Sequence, residues 1–303
     1  MSGRLFSVVV PTYNRSRLLR PTLASVFAQE DDDWELIVVD DGSTDDTAEV
    51  VASFGQRVIY LRQENRGPSA ARNAGIERAR GRYVCALDSD DVWFPWTLST
   101  FRTAITSAGE PALLVGPLVM FRGEDELAGV RRDPVVCRTY PDFLAASQEG
   151  LYASSGTAVY LRRALNRAGG FDSALMNMED HDLSLRIGSA PGFVAIRSPI
   201  TLGYRRHAGS VQTLERSVAG LLACIERERR GHYPGGAARA RERRRLLCLC
   251  ARPLVAACLR ERRIDLASSV YVSTLGWQVR EGRGRYLLGA PLLAAWAGIR
   301  KLA

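Results

Sequence analysis

Tyr83-Val84-Cys85-Ala86-Leu87-Asp88-Ser89-Asp90-Asp91-Val92-Trp93 is an apolar run that ends on three carboxylates within four residues. The short apolar segment after Gly81 reads as a buried strand. At the carboxyl end of a strand in an open α/β sheet the chain faces the crevice where ligands bind. Asp88 and Asp90 stand two apart, and alternation in an extended chain sends both to one side. Paired hard oxygens of this kind suit Mg²⁺ or Mn²⁺, ions that keep waters and complete their shell from substrate phosphates. The competing reading is an acidic cap for a helix opening near Trp96, since Asp is a good cap residue.

Working outward, the preceding residues alternate strand and helix. Phe6-Ser7-Val8-Val9-Val10 is a buried strand that ends at the turn Pro11-Thr12-Tyr13-Asn14. A helix follows over residues 17–29, with Leu18, Leu19, Leu23, Val26 and Phe27 on its inner face. The strand Glu35-Leu36-Ile37-Val38-Val39 leads into Asp40-Asp41-Gly42-Ser43-Thr44-Asp45, where Thr44 or Asp45 caps a helix to about residue 53. A third strand over 58–61, the loop Asn65-Arg66-Gly67-Pro68-Ser69 and a helix to about 79 complete the series. Such alternation predicts a parallel sheet with helices on both faces.

After the carboxylates the pattern predicts a helix over 96–108, one strand over 113–120 and an acidic-basic loop over 124–133. A strand over 152–161, a short helix from Arg162 and a turn at 169–172 come next. Met178-Glu179-Asp180-His181-Asp182 opens another helix. From Leu214 onward only helices are expected, broken at Pro234-Gly235-Gly236, and Arg252 and Pro253 interrupt the apolar run over 246–259.

Composition is that of a globular protein, 46% hydrophobic and 24% charged. The net charge of +8 divides unevenly: residues 1–211 carry 23 Arg and 26 Asp and Glu, a net of −3, while 212–303 carry 18 basic and 7 acidic residues, a net of +11. A basic module beside a near-neutral one points to contact with something anionic. The Arg-rich run at 239–245 has no interleaved aromatics and no recognisable motif, which argues against nucleic acid. Six cysteines without a C-x-x-C pair read as thiols in a reducing compartment. No signal-peptide core opens the chain, and no segment reaches the roughly 18–20 apolar residues of a membrane span. The expected location is cytoplasmic, either free or peripheral at the inner face of the plasma membrane. No G-x-G-x-x-G follows the first strand, which argues against a dinucleotide-binding oxidoreductase.

Four motifs in fixed order resemble the inverting glycosyltransferases of family 2, which have the GT-A fold. They are Val8-Val9-Val10-Pro11-Thr12-Tyr13-Asn14-Arg15, Val39-Asp40-Asp41-Gly42-Ser43-Thr44-Asp45, Asn73-Ala74-Gly75 with Leu87-Asp88-Ser89-Asp90-Asp91, and Glu179-Asp180-His181-Asp182-Leu183. A fifth, Tyr204-Arg205-Arg206-His207-Ala208-Gly209-Ser210, looks like the family's late His-x-x-Gly-Ser-type segment. The resemblance covers about residues 5–211 and says nothing specific about 212–303. It implies an α/β GT-A fold, a Rossmann-like mostly parallel sheet flanked by helices. A catalytic domain is expected over 1–211, with a nucleotide-binding half at about 1–110 and an acceptor half at about 111–211. The region 212–303 is then a basic helical C-terminal extension.

The resemblance also implies roles. Pro11, Thr12, Tyr13, Asp41, Arg72, Asn73, Asp88 and Ser89 are expected around the nucleotide-sugar donor. Tyr13 stacks on the base and Asp41 accepts from the ring N–H or the ribose; Asp40 is left as a structural closure of its own turn. Asp88-Ser89-Asp90 resembles the D-x-D motif that holds a divalent cation, Mn²⁺ or Mg²⁺, on the diphosphate. Asp90 is then the direct ligand, Asp88 lies on the ribose or the metal waters, Asp91 gives support and His207 is a further ligand or phosphate contact. Asp180 matches the position of the catalytic base that takes the acceptor proton. Glu179 supports it or competes with it, and Asp182 is a rival whose alternative is a cap or salt bridge. The activity implied is transfer of a sugar from a nucleotide sugar, UDP-linked by preference, with inversion, to a glycan or lipid-linked acceptor. The settings implied are cell-envelope polysaccharide, lipid-linked glycan or glycolipid synthesis. The absence of Gln-x-x-Arg-Trp favours single transfers over polymer extrusion. The alternative is a non-catalytic relative acting as a binding or scaffold protein through its basic tail. For residues 239–263 two readings stay open: a solvated basic face on packed helices, and an interfacial module meeting an anionic membrane surface.

Overall fold

The structure, a computed structural model, describes residues 4–151, 153–175, 177–207, 213–284 and 286–289. The tail of the late motif, Ala208-Gly209-Ser210, lies outside the described residues, as do Tyr152, Met176 and residues 290–303.

The first half alternates as the sequence predicts: β1 (Phe6–Thr12), α1 (Ser16–Phe27), β2 (Trp34–Asp40), α2 (Thr47–Ala52), β3 (Val58–Arg62), α3 (Pro68–Arg78) and β4 (Tyr83–Ala86). Every residue of β1 and β4 is buried, the signature of a parallel sheet covered on both faces. Gly75 sets how closely α3 approaches β1, because a Cβ there would lie 2.3 Å from Val9 Cγ1. Beyond β4 come β5 (Val92–Trp93), α4 (Thr97–Ala108), β6 (Leu113–Val115), β7 (Leu118–Phe121), β8 (Val136–Tyr140), β9 (Ala158–Leu161), α5 (Arg162–Arg167), α6 (Glu179–Ile187), β10 (Phe193–Ser198) and β11 (Leu202–Arg205). The chain then continues as α7 (Leu214–Arg229), α8 (Ala240–Arg260) and α9 (Ile264–Arg280).

Eight strands form one sheet in the order β3-β2-β1-β4-β9-β6-β10-β8. Pairing is parallel from β3 through β4 and again between β6 and β10; it turns antiparallel at β9 and at β8. A second sheet has the order β5-β11-β7.

Three expectations need correcting. The single strand over 113–120 is two strands in two sheets, parted at Gly116-Pro117. Proline has no N–H to give a ladder, and its carbonyl instead accepts from Thr201 N at 2.9 Å. Gly116 passes so close to Thr201 that a Cβ would lie 2.2 Å from its Oγ1. Of the strand expected over 152–161, only Ala158–Leu161 forms, because Ser154 O accepts from the amides of Thr157 and Ala158 and closes a turn. Strands β8, β10 and β11 have no counterpart among the sequence expectations. Helix α8 runs straight through Pro253, which sits on its exposed side. The proline costs roughly 3 kcal/mol in a helix interior. Burial of Leu246, Leu247, Val255 and Leu259 on the other face outweighs that, at about 1.5–3 kcal/mol for each large side chain.

The chain divides into two compact units. The first, Met1–Phe143, Tyr152–Ser173 and Ala190–Ser210, holds both sheets and α1 to α5. The second, Leu144–Leu151, Ala174–Ser189 and Val211–Ala303, holds α6 to α9. This division differs from a cut at 211, since α6 groups with the C-terminal helices. Within the second unit α7, α8 and α9 pack pairwise around Val218, Leu221, Ile225, Leu247, Ala251 and Val270.

Several arginines of the second unit are ion-paired inside it. Fully buried Glu228 accepts from Arg243 Nε at 2.6 Å and Arg244 Nε at 3.0 Å. Arg243 also donates to Pro234 O and Gly236 O, which closes the Gly/Pro break onto α8. Glu281 accepts from Arg245 at 2.6 Å and Arg241 at 3.0 Å, Glu242 pairs with Arg239, and Arg263 pairs with Glu215 and Asp265. No helix among the described residues is long and apolar enough to cross a membrane.

Candidate active site

Three loops meet where β1, β2 and β4 end. Leu87 donates to Val9 O at 2.9 Å, carrying the chain just past the sheet before Asp91 N turns back to Asp88 O. Asn14, with φ of 50°, accepts from Thr44 N at 2.8 Å and donates its own N–H to Ser43 Oγ at 2.9 Å, so the loop after β1 is tied to the loop after β2. Asp40 is structural: it accepts from Ser43 N at 2.7 Å and from Tyr60 OH at 2.6 Å. Asp41 accepts from Gln63 Nε2 at 2.7 Å, Arg66 N at 2.9 Å and Gly67 N at 2.8 Å. Its expected contact with base or ribose therefore has to be shared with the 63–67 loop it holds. Gly42, at φ of 87°, fits beneath that loop, where a Cβ would lie 3.1 Å from Asn65 N. Pro11 and Thr12 are buried at the end of β1, Ser89 is buried in the acidic turn, and Tyr13 is 46% exposed beside them.

The carboxylates have distinct partners. Asp88 Oδ1 accepts from Arg72 Nη2 at 2.7 Å. Arg72 is buried rather than on the helix surface, with its guanidinium over the Phe171 ring at 5.3 Å. Asn73 holds that ring in place by a two-way bond to the Phe171 backbone, accepting at 2.8 Å and donating at 2.7 Å. Any contact of Asn73 with the donor is therefore shared with the Phe171 backbone that its amide holds. Asp90 Oδ2 pairs with Arg15 and lies 2.8 Å from His207 Nε2.

Asp91 is buried beneath them. Its Oδ1 accepts from Arg205 N at 2.9 Å, and its Oδ2 has no hydrogen-bond partner among the described residues. Burial foremost, then the charges of Asp88 and Asp90, push its carboxyl up to about 9. Arg205 clamps the turn from the other side: its Nε donates to Asp90 O at 2.9 Å and its guanidinium lies 4.5 Å from the Phe121 ring centre.

Among the described residues no three or more His, Cys, Asp or Glu gather as a ready metal cage. A two-ligand set of Asp90 and His207 nevertheless fits Mn²⁺ or Mg²⁺, which bind through one or two protein ligands with phosphates and water supplying the rest.

Asp180 is the second residue of α6, in the second unit, with Glu179 before it. It is half-buried, and its carbonyl accepts from Ser184 Oγ at 2.7 Å. Asp182 is fully buried and accepts from Arg186 Nε at 2.7 Å, Arg227 Nη1 at 2.7 Å and Tyr233 OH at 2.9 Å. Of its two readings, the salt bridge is the one found. Sequence reasoning gave no role to Arg15, Arg205 or Phe171. Arg15 and Arg205 at least stand inside quoted motifs, whereas Phe171 stands only in the turn that follows Gly170.

The family model described as Glycosyl transferase family 2 matches residues 7–169. The chain belongs to glycosyl transferase family 2. That span contains Asp88 and Asp90 and stops before Asp180 and His207. Among relatives of the family, the chain is 45% identical over 94 residues to the putative teichuronic acid biosynthesis glycosyltransferase TuaG of Bacillus subtilis, covering 29% of this chain and 37% of TuaG. To the putative glycosyltransferase EpsH of the same organism it is 31% identical over 219 residues, 68% of this chain and 62% of EpsH. The match thus spans little more than a third of the length of TuaG. Among solved structures, S. aureus TarS 1–349 in complex with UDP-GlcNAc superimposes with a TM-score of 0.59 at 18% identity, covering 91% of this chain and 92% of that one. The mannosyltransferase PcManGT of Pyrobaculum calidifontis, in complex with GDP-Man and Mn²⁺, gives 0.52 at 19%, with 98% and 88% covered. At such identities the likeness is one of fold, and the fold is the α/β GT-A arrangement expected of the family.

Proposed function

We propose that this chain transfers a sugar from a nucleoside-diphosphate sugar to an acceptor hydroxyl with inversion, in the synthesis of a cell-envelope polysaccharide, lipid-linked glycan or glycolipid. The observation that carries the reading is the convergence of Asp90, His207 and Arg15 just beyond the end of β4, with Asp88 held by Arg72 on the same turn. A carboxyl group, an imidazole and a guanidinium at one point suit a diphosphate with its cation better than they suit an uncharged ligand. UDP is the preferred nucleotide, in line with the UDP-GlcNAc complex of TarS, and the GDP-Man complex of PcManGT keeps GDP in the test.

In this reading Asp90 and His207 hold Mn²⁺ or Mg²⁺, which when bound offsets the charge that builds on the leaving diphosphate. Arg15 adds a fixed positive charge beside it. Thr12 and Tyr13 flank the nucleoside, with Asp41 fixing the loop that frames it. Asp180 takes the proton of the acceptor hydroxyl as the bond to the anomeric carbon forms. Its place in the first turn of α6 favours the anion, which keeps it ready to accept.

Calorimetric titration of UDP, dTDP and GDP, with and without Mn²⁺, on the full chain and on Asp90→Ala tests this reading. Metal-dependent binding of one nucleotide, lost in the variant, is the expected result. A folded protein that binds none of them would overturn it and leave the non-catalytic scaffold. As for residues 239–263, the pairing of Arg239, Arg241, Arg243, Arg244, Arg245 and Arg263 with acidic residues of their own unit supports an internal ion-pair network over a lipid-facing patch.

A further inference from the structure

The sequence gives residues 212–303 no catalytic role, and the family model ends well before them. The second unit nevertheless joins them to the helix that bears Asp180. Just before α6 the backbone takes an unusual course: Asn177 and Met178 have φ of 62° and 72°, two consecutive left-handed residues without a glycine. Side-chain-bearing residues stay in that region only where their surroundings over-determine them, and such sites gather at functional elements.

The surroundings here are α7. A Cβ on Gly220 would lie 2.4 Å from Asn177 O and 3.2 Å from Met178 Cβ, so the bare backbone of α7 lies directly against the turn. Three residues earlier, Ser217 Oγ accepts from Asn177 Nδ2 at 3.2 Å. On the same face, Arg227 donates to Asp182 at 2.7 Å, and Tyr233, just past α7, donates to the same carboxylate oxygen at 2.9 Å. Ser217, Gly220 and Arg227 follow the i, i+3, i+10 spacing of one helical stripe. Asp180 stands two residues after Met178 and two before Asp182. It is therefore pinned from both sides by α7 and the segment that follows.

We propose that the C-terminal helices are the positioning scaffold of the general base: Gly220, Arg227 and Tyr233 set the orientation of the Asp180 carboxylate through the turn at Asn177 and Met178 and through Asp182. The inference rests on the assignment of Asp180 as the base. Its physical content is that a base must meet the acceptor hydroxyl at a set angle, and that a displacement of about 1 Å costs up to a hundredfold in rate.

Gly220→Ala and Tyr233→Phe in the full chain test it, with Arg227→Lys compared against Arg227→Met. The readouts are nucleoside diphosphate release from the sugar nucleotide whose nucleotide binds, UDP-GlcNAc first and with water as acceptor; the nucleotide Kd; the pH–rate profile; and the thermal midpoint. The expected result for Gly220→Ala is a kcat lowered about tenfold or more, a nucleotide Kd unchanged within about twofold and a displaced acid limb of the profile. Tyr233→Phe shows the same pattern more weakly, and Arg227→Lys recovers part of what Arg227→Met loses. Folded Gly220→Ala and Tyr233→Phe with wild-type kcat and pH profile would overturn the inference, even with lowered thermal midpoints. Should Gly220→Ala not fold, Tyr233→Phe and the Arg227 pair decide. Asp180→Asn separates the two levels: if it keeps normal turnover, the base assignment itself fails; if it is inactive while the positioning variants are normal, only this inference does.

Discussion

His207 Nε2 lies 2.8 Å from Asp90 Oδ2 although the two residues are 117 apart in the chain. The imidazole is brought there by β11, whose Arg205 clamps the acidic turn through both its backbone N–H and its side chain. If this pair holds the cation, Asp90→Ala abolishes the metal-dependent part of nucleotide binding. His207→Ala weakens it by roughly tenfold, about 1.4 kcal/mol. Titration of nucleotide at fixed Mn²⁺ measures both; equal affinities with and without metal in wild type would remove the pair from that role.

Arg72→Met is expected to destabilise the first unit. Its guanidinium is buried, pairs with Asp88 and covers Phe171. Breaking a fully buried pair costs about 3–5 kcal/mol; Asp88 is 31% exposed and regains water, so about 1–2 kcal/mol is expected. Urea unfolding of the variant checks the value.

Gly75→Ala should cost more than an ordinary helix Gly→Ala change, which is normally stabilising by up to about 1 kcal/mol. Here the new methyl meets Val9 Cγ1 at 2.3 Å and either pushes α3 from β1 or strains the valine. Overpacking of this kind costs about 1–3 kcal/mol. Chemical denaturation that shows increased stability would contradict the close approach.

The second unit is expected to lose stability in acid through Glu281. Donation from Arg245 is the main cause that holds its carboxyl below the usual 4.5, against the opposing effect of burial and with help from Arg241. A carboxylate with a depressed folded pKa stabilises the fold above its unfolded pKa, and the contribution fades as pH falls through the folded value. The thermal midpoint of the wild type should therefore decline below about pH 4.5. Glu281→Gln should start lower at neutral pH and decline less steeply. Parallel curves for the two proteins would show that the pair contributes nothing.

Much of the first unit is legible from local pattern alone. Short apolar runs with strand length and turns at Gly42 and Gly67 depend on neighbours within a few residues. They are recovered almost to the residue in β1 to β4. The irregular half reads less well. Strands β8 and β10 are short and carry polar residues such as Arg138 and Arg197, and the run over 113–120 has the composition of one strand until Thr201 and Pro117 part it.

By itself, then, the amino-acid sequence determined the alternating sheet, the acidic turn at the end of β4 and the family whose motifs lie in that order, because each depends on short-range periodicity and side-chain type. Only the tertiary structure decided that Asp90 meets Arg15 and His207, that Asn73 is taken up by Phe171, that Asp182 is a salt bridge to Arg227 and that the arginines of α8 face Glu228 and Glu281. In each case the partners are far apart along the chain or on separate helices. A charge or an amide does not announce which distant group it will meet; that choice is made when burial forces every polar atom to find a partner.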